Sequence, residues 1–448
     1  MHKRYKKEPA AASTSTGSSL SPSLFLDGLL VGVLAGVVAV SFRLLLSQLT
    51  SVRTALLGQR TTLDFVLWFS LLTAMAFAVY LLLRWAPLSG GSGIPQVEGE
   101  LHGHLSLNHP RVLVSKFFGG ALTSFGGLSV GREGPSIQLG SSCGKLLADV
   151  RHRDAVQTQI LLSAGAAAGL AAAFNAPLSG VLFTVEELHK HTKPLFLLPA
   201  LLAAATADVV SKSIFGLEPV FSFSLPQLLP LSAYPWVLLL AVFVGLIGVL
   251  FNKTLLHTQL LYRRLPISTA WYPLIAFWGA GLTALFLPAI LGGGHSLIEE
   301  LLHPLPWTAL VLLLAAKLIF TAFCYSSGVQ GGIFLPILSL GALGGMLVYR
   351  FGLGVHQLDA GLEINFILLG MAAILSSVVR APLLSVILVF EMSGCATHLL
   401  TLTIVSTLSC LVAELLRNPP IYDSLLARIL QGQRAPSPES AALRRTPR

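Results

Sequence analysis

The sequence predicts an all-α, polytopic membrane protein made of two related helical repeats that contain broken, re-entrant helices. Composition is the first reason: the 448 residues are 54% hydrophobic and 11% charged, whereas a soluble domain carries about 25% charged residues. The second reason is a set of apolar stretches that approach the roughly 20 residues of a membrane crossing. They are Leu24–Phe42, Phe65–Leu83, Leu195–Val210, Pro235–Phe251, Trp271–Leu291, Leu305–Tyr325 and Leu399–Leu416. The third reason is an internal duplication.

The duplication is clearest in a segment that contains glycine and proline. Gly131–Gly140 and Gly332–Gly341 share Gly, Pro, Leu and Gly at identical offsets. Lys116 and Lys317 precede the two copies by the same distance. Agreement at this many positions favours two repeats over chance similarity.

A second pair of segments, Ala176–Glu186 and Ala381–Glu391, matches at nearly the same separation. We therefore predict a basic, Ser/Thr/Pro-rich N-terminal tail, a first membrane repeat, a polar connector, a second membrane repeat and a disordered basic C-terminal tail. These regions are residues 1–23, 24–213, 214–234, 235–430 and 431–448. The matches alone leave open whether the repeats are parallel or inverted.

Several apolar segments begin with proline and are too short to cross a bilayer. They are Pro135–Leu147, Pro177–Val185, Pro336–Tyr349 and Pro382–Met392. Because proline suits the first turn of a helix, we expect helices to begin near Glu133 or Gly134 and near Phe334. Gly90–Pro95 is a third glycine-rich break with a trailing proline. Interrupted helices in corresponding positions of two repeats present unpaired N–H groups near the bilayer midplane, where they favour an anion.

Carboxylates near these breaks suggest proton chemistry. The Glu133 carboxylate would compete with an anion for the same N–H groups, and protonation would release the carboxylate from them. Glu133 is therefore a candidate gate that also carries a proton. Arg132 offers Glu133 an ion pair, although adjacent residues on a turn rarely face each other. Glu186 and Glu187 close the segment that starts at Pro177 and either form a solvated helix end or include an inner access point for protons.

The distribution of charge argues against a polyanionic partner. The net charge of +9 comes largely from the tails, including His2–Lys7 and Arg444–Arg448. This pattern predicts cytoplasmic termini and an even number of crossings. The four cysteines lie in apolar surroundings without metal-binding spacing; they are Cys143, Cys324, Cys395 and Cys410. We expect no nucleic acid, no metal and no cofactor.

Three motifs resemble the signature segments of the CLC chloride channel and transporter family: Gly91–Pro95, Gly131–Pro135 and Gly332–Pro336. Pro420–Asp423 resembles the fourth element of that family, which carries a pore tyrosine. Gly165–Glu187 is similar to the bacterial antiporters. Together these segments extend over nearly the whole membrane part of the chain.

The resemblance implies a homodimer in a bacterial plasma (inner) membrane, with inverted repeats and one pathway in each subunit. It implies that the protein is not an enzyme and exchanges chloride for protons across the lipid bilayer. In this family pattern Glu133 is the external gate and Glu187 is the inner proton-transfer group. The implied anion-binding positions are Ser92, Tyr422, the Ile333 and Phe334 amides, Gly91 and Gly134. Leu335, Val329 and Gln330 depart from the residues common at their positions.

Three alternatives are considered. A passive chloride channel, gated by voltage or pH, could use the same fold. A membrane di-iron enzyme would use two Glu-x-x-His motifs, here Glu186 with His189 and Glu300 with His303. An intramembrane serine hydrolase would use Ser326, for which the sequence indicates no partner base.

Overall fold

A computed structural model describes residues 22–57, 62–190, 194–221, 223 and 228–434. Its first eight α-helices are α1 Pro22–Leu57, α2 Thr62–Trp85, α3 Ile94–Leu101, α4 His109–Phe125, α5 Glu133–Val150, α6 Ala155–Phe174, α7 Pro177–Phe183 and α8 Pro194–Phe215. The next eight are α9 Tyr234–Arg264, α10 Tyr272–Phe286, α11 His295–Glu300, α12 Trp307–Ser326, α13 Phe334–Gly354, α14 Glu363–Val379, α15 Pro382–Ser393 and α16 Leu399–Leu415, followed by α17 Ile421–Arg434. The described residues contain isolated β-bridges but no named strand. The predicted all-α class is confirmed.

The two sets of eight helices follow the same order, and equivalent segments meet at the centre of the molecule. Gly131 and Gly332, which are equivalent positions, form an antiparallel bridge. The equivalent segments of the two repeats therefore run in opposite directions where they meet, as expected for repeats of inverted topology. The boundary of the predicted connector stays a prediction, because part of 214–234 lies outside the described residues.

Glycine pairs allow the central helices to approach closely in both repeats. A Cβ added to Gly140 would lie 2.2 Å from the Gly165 carbonyl oxygen, and one added to Gly165 would lie 2.1 Å from the Gly140 oxygen. Gly341 and Gly370 repeat this arrangement at 2.3 and 2.1 Å. Small residues let helix backbones pack tightly in membranes, so α5 packs against α6, and α13 against α14, with almost no space between backbones.

Eight helices are long and apolar enough to cross a membrane among the described residues. Two of them were not among the sequence-based spans, and Leu399–Leu416, which was, forms only the 17-residue helix α16 and is not among the eight. The helix Ala155–Phe174 was not predicted to span, because its glycines and alanines are only weakly apolar. The segment Pro336–Tyr349 was predicted to be short, which is wrong: α13 begins two residues earlier and continues to Gly354, giving a helix of 21 residues.

The chain ends differ slightly from the predicted tails. Helix α1 begins at Pro22, inside the predicted N-terminal tail. Helix α17 continues to Arg434, so residues 431–434 are helical rather than disordered. The periodic apolar positions of α17, which include the buried Leu425 and Leu426, explain why the helix persists. Residues 1–21 and 435–448 of the predicted tails lie outside the described residues.

Candidate functional site

The three glycine-rich breaks come together at one place. Gly131 donates its N–H to the Gly332 carbonyl at 2.7 Å, and Gly332 donates to the Gly131 carbonyl at 2.8 Å. Gly91 donates to the Val329 carbonyl at 2.9 Å and accepts from Gly331 at 3.0 Å. These hydrogen bonds place the breaks before α3, α5 and α13 side by side, so the amino ends of three helices lie at a common junction.

The helix starts at this junction follow from local chemistry. Helix α5 begins at Glu133 and α13 begins at Phe334, as predicted from the prolines that follow. Gly93 precedes α3 with φ +96, a left-handed conformation that glycine adopts without steric cost. Each break leaves N–H groups without helical partners and with the partial positive charge of a helix amino end.

Close approach at the junction depends on Gly134. A Cβ added there would lie 2.4 Å from Ser92 Oγ and 2.7 Å from the Ser92 carbonyl oxygen. The start of α5 therefore contacts the loop before α3 directly. The Ser92 and Tyr422 hydroxyls interact electrostatically, but neither makes a hydrogen bond of ordinary geometry with the described residues.

Every side chain at the junction is enclosed. Ser92, Glu133, Ile333, Phe334 and Tyr422 each have 0% relative solvent exposure. The junction thus brings together residues that the sequence analysis assigned to one anion site.

A cavity lies on each side of the junction. One, of about 310 Å³, is lined by Gly131, Arg132 and Arg53, the last of these near the end of α1. The other, of about 680 Å³, is lined by Gly91, Tyr325 and Arg84, which lies in the last turn of α2. Because α2 crosses the molecule between these ends, the cavities open toward opposite faces, and the buried junction separates them. We call them the outer and the inner cavity, after the orientation that the sequence analysis predicts.

The Glu133 carboxylate lies against the helix amino ends. A Cβ added to Gly131 would lie 2.3 Å from Glu133 Oε2 and 3.3 Å from the Leu335 backbone nitrogen. The carboxylate faces the backbone N–H groups of Arg132, Glu133 and Leu335, although neither of its oxygens makes a hydrogen bond of ordinary geometry with the described residues. Arg132 Nε lies 3.9 Å from Glu133 Oε1, so the neighbour does face the carboxylate, contrary to our expectation, but beyond hydrogen-bonding distance.

Two buried lysines hold the glycine-rich loops, which sequence reasoning did not foresee. Lys116 Nζ donates to the carbonyls of Ser89 and Gly91 at 2.7 and 2.8 Å. Lys317 Nζ donates to the equivalent carbonyls of Ile290 and Gly292 at 2.9 and 2.7 Å. Their matching positions in the repeat were the available signal. Lys116 therefore fixes the loop before α3, one of the three breaks at the junction, and Lys317 fixes the equivalent loop before α11.

Glu187 lies on a π-helical turn, Thr184–His189, that continues α7. The interpretation of this turn as a solvated helix end is wrong for Glu187, which is 2% exposed and whose Oε1 has no hydrogen-bond partner in the described chain. Its carboxylate, with those of Glu98 and Asp423, has oxygens within 4.8 Å of one another. Glu98 and Asp423 were not singled out from the sequence, because they are far apart along the chain.

Glu186 and Glu391 have equivalent roles in the two repeats. Glu186 accepts the N–H groups of Leu383 and Leu384 at the start of α15, at 3.2 and 2.7 Å. Glu391 accepts those of Leu178 and Ser179 at the start of α7, at 3.0 and 2.8 Å. Glu391 on α15 therefore caps the start of α7, and Glu186 on the turn after α7 caps the start of α15. The Glu186 carboxylate thus has a structural role and is not available for proton transfer.

The di-iron alternative finds no support in the geometry. Among the described residues, the His, Cys, Asp and Glu side chains close enough to share an ion are Glu98, Glu187 and Asp423. That group includes neither His189 nor Glu300. His189 instead contacts the Ser163 hydroxyl at 2.7 Å.

Comparison with known proteins assigns the fold to a family. Residues 74–414 match the family described as "Voltage gated chloride channel". The chain belongs to this family. Members of the voltage-gated chloride channel family that resemble it include the H(+)/Cl(-) exchange transporter ClcA of Cronobacter sakazakii. That relative is 38% identical over 436 residues, which cover 92% of this chain and 91% of the relative.

Another relative in the family, ClcA of Vibrio cholerae serotype O1, is 36% identical over 429 residues, with 92% and 90% of the two chains covered. A solved structure of a slow cyanobacterial Cl-/H+ antiporter superposes with a TM-score of 0.86 at 30% identity. It covers 93% of this chain and 100% of the antiporter. The voltage-gated chloride channel family and its fold thus account for nearly the whole described chain, and the chain is an integral membrane protein.

Proposed function

We propose that the protein exchanges chloride for protons across a bacterial plasma membrane, with both termini in the cytoplasm. The observation that carries the proposal is the buried junction, where three helix amino ends, two hydroxyls and the Glu133 carboxylate meet between two cavities. Partial charges bind an anion without the tight hold of a full cation, which allows rapid release. The exchange activity named for the ClcA relatives and for the cyanobacterial structure supports this assignment.

The roles of the site residues belong to this proposal. The Ser92 and Tyr422 hydroxyls, with the Ile333 and Phe334 amides, bind the central anion, and Gly91 and Gly134 allow the backbone to approach it. Glu133 occupies the outer part of the site when ionised and leaves it when protonated. Glu187 exchanges protons with the cytoplasmic side.

The alternative is a passive channel. The buried, unpartnered carboxylate of Glu187 favours exchange, because a channel has no need for an ionisable group away from the anion path. We also propose a homodimer, as the family resemblance implies, with one pathway in each subunit, because the junction and the cavities on both sides of it form within one folded chain.

Proton movement driven by a chloride gradient tests the function. Purified protein in liposomes with a chloride gradient should move protons against their own gradient, because the exchanged ions share one cycle. A pH electrode and a chloride electrode would record both fluxes. Chloride flow without proton counterflow would support the channel and end the exchange proposal.

Substituting Gly134 with alanine should weaken chloride binding. The added Cβ would lie 2.4 Å from Ser92 Oγ, closer than atoms can pack, so the loop before α3 must move. Overpacking of this kind costs about 1–3 kcal/mol of folding stability, and the displacement of Ser92 that it forces should lower chloride affinity by at most roughly 150-fold. Isothermal titration of purified protein with chloride would measure the change.

Gly354→Ala is the matched control, because a Cβ at Gly354 has nothing within 4 Å. Both variants should elute as folded protein in size-exclusion chromatography. Equal chloride affinity for Gly134→Ala and the control would remove Gly134 from the site.

A further inference from the structure

Lys190 joins three parts of the protein on the side of the inner cavity. It ends the π-helical turn that carries Glu187. Its Nζ donates to Glu98 Oε1 on α3 at 2.6 Å. It also donates to Asp423 Oδ1 on α17. We call Glu98, Lys190 and Asp423 the inner ion cluster.

The inner ion cluster lies directly beside Glu187. The oxygens of Glu98, Glu187 and Asp423 lie within 4.8 Å of one another, so three carboxylates share one small region. Like charges at this distance oppose ionisation, and an opposite charge favours it. Lys190 supplies that opposite charge, and it acts electrostatically on Glu187 as well as on its two hydrogen-bonded partners.

Several other groups surround Glu187 and Lys190. His102, which follows the last residue of α3, acts on Glu98, and Glu186, on the π-helical turn that carries Glu187, acts on Glu187. From α6, Ser163 faces the turn and contacts His189. Among these groups, Lys190 alone bonds to two of the carboxylates that face Glu187, so the balance of charge depends on it.

Lys190 keeps its charge in this position. Burial lowers the pKa of Lys190, but its hydrogen bonds to Asp423 and Glu98 outweigh burial and raise the pKa overall. A raised pKa means that the ion pairs are present at neutral pH and are lost only as the pH rises through that pKa.

The cluster also reaches the junction. Glu98 lies on α3, the helix that begins just after Ser92, and Asp423 follows Tyr422 on α17. The ammonium group therefore ties the two elements that carry the proposed anion-binding hydroxyls to the turn that carries the proposed proton-transfer group.

We propose that Lys190 is a positioning residue for proton transfer, which holds Glu98 and Asp423 as an ion cluster and so sets the pH at which Glu187 releases its proton. The inference rests on the proposed exchange function. Without the ammonium group, Glu187 would face two uncompensated carboxylates and would hold its proton to a higher pH. Lys190 does not itself take part in the transfer.

The test compares Lys190→Met with wild type in proteoliposomes that contain the full chain. Proton flux driven by a potassium chloride gradient is recorded over a series of internal pH values, with chloride flux in parallel. Loss of a nearby opposite charge raises the pKa of a carboxyl group by about 1–3 units. The internal pH at which proton flux is half-maximal should therefore rise by about one unit or more. Lys190→Arg, which keeps the charge, should restore the wild-type profile.

Glu98→Gln provides an independent arm. Removing a carboxylate should move the half-maximal pH downward, opposite to Lys190→Met. A lower flux at every pH with no movement of the half-maximal pH in either variant would show a purely structural role and overturn the inference. Failure of wild type to couple the two ions would instead contradict the proposed function, so the two failures are distinguishable.

Discussion

Replacing Glu133 with glutamine should leave chloride moving across the membrane but abolish its coupling to protons. The glutamine keeps the shape of the side chain at the junction, yet it can neither carry a proton nor occupy the anion site as a charge. Its amide donor would tolerate a neighbouring anion. We expect chloride-driven proton flux to fall to the level of protein-free liposomes, measured with a pH electrode while chloride release is followed in the same sample.

Glu299→Gln is the control for this experiment. Glu299 lines the same outer cavity, but its side chain is 63% exposed, so its loss should leave coupling unchanged. Chloride transport that still responds to a pH gradient in Glu133→Gln would contradict the assignment of Glu133 as the gate.

Replacing Glu187 with glutamine should suppress proton transport while chloride binding survives. Removing this carboxylate takes away the inner proton carrier, while the Ser92 and Tyr422 hydroxyls and the Ile333 and Phe334 amides that are proposed to hold the anion remain. We expect calorimetric chloride affinity to stay at the wild-type value and chloride-driven proton flux to be lost.

Glu414→Gln is a suitable control here. Its side chain is 75% exposed and pairs with Arg380, and an exposed ion pair contributes about 0–1 kcal/mol. Coupling should therefore persist in this variant. If Glu187→Gln coupled normally as well, another group would have to carry the proton on the cytoplasmic side.

The sequence was sufficient for the fold class and for the helix starts at the junction. Gly131 and Gly332 occupy equivalent places in a duplicated motif, and the prolines after them fix where α5 and α13 begin. The wider assignment of residues such as Tyr422 came from the family resemblance rather than from spacing. The roles proposed for them stay predictions until the transport experiments are made.

Other features could not be predicted because they depend on partners far away in the sequence. Lys190 follows a charged turn and resembles an ordinary solvated lysine, yet its partners Glu98 and Asp423 come from distant helices. The mutual capping by Glu186 and Glu391 is similar: the repeat match pointed to both residues, but only the packing of α7 against α15 shows what their carboxylates do.

The glycine pairs in the two repeats limit how the protein can alternate between its faces. Gly140 and Gly165, like Gly341 and Gly370, bring helix backbones into direct contact, so sliding or tilting of these helices would force atoms to overlap. Many carriers instead rock one bundle against another around a fixed site. On this rigid frame, we expect turnover to rely on rotation of individual side chains, which would make the rate insensitive to bilayer thickness.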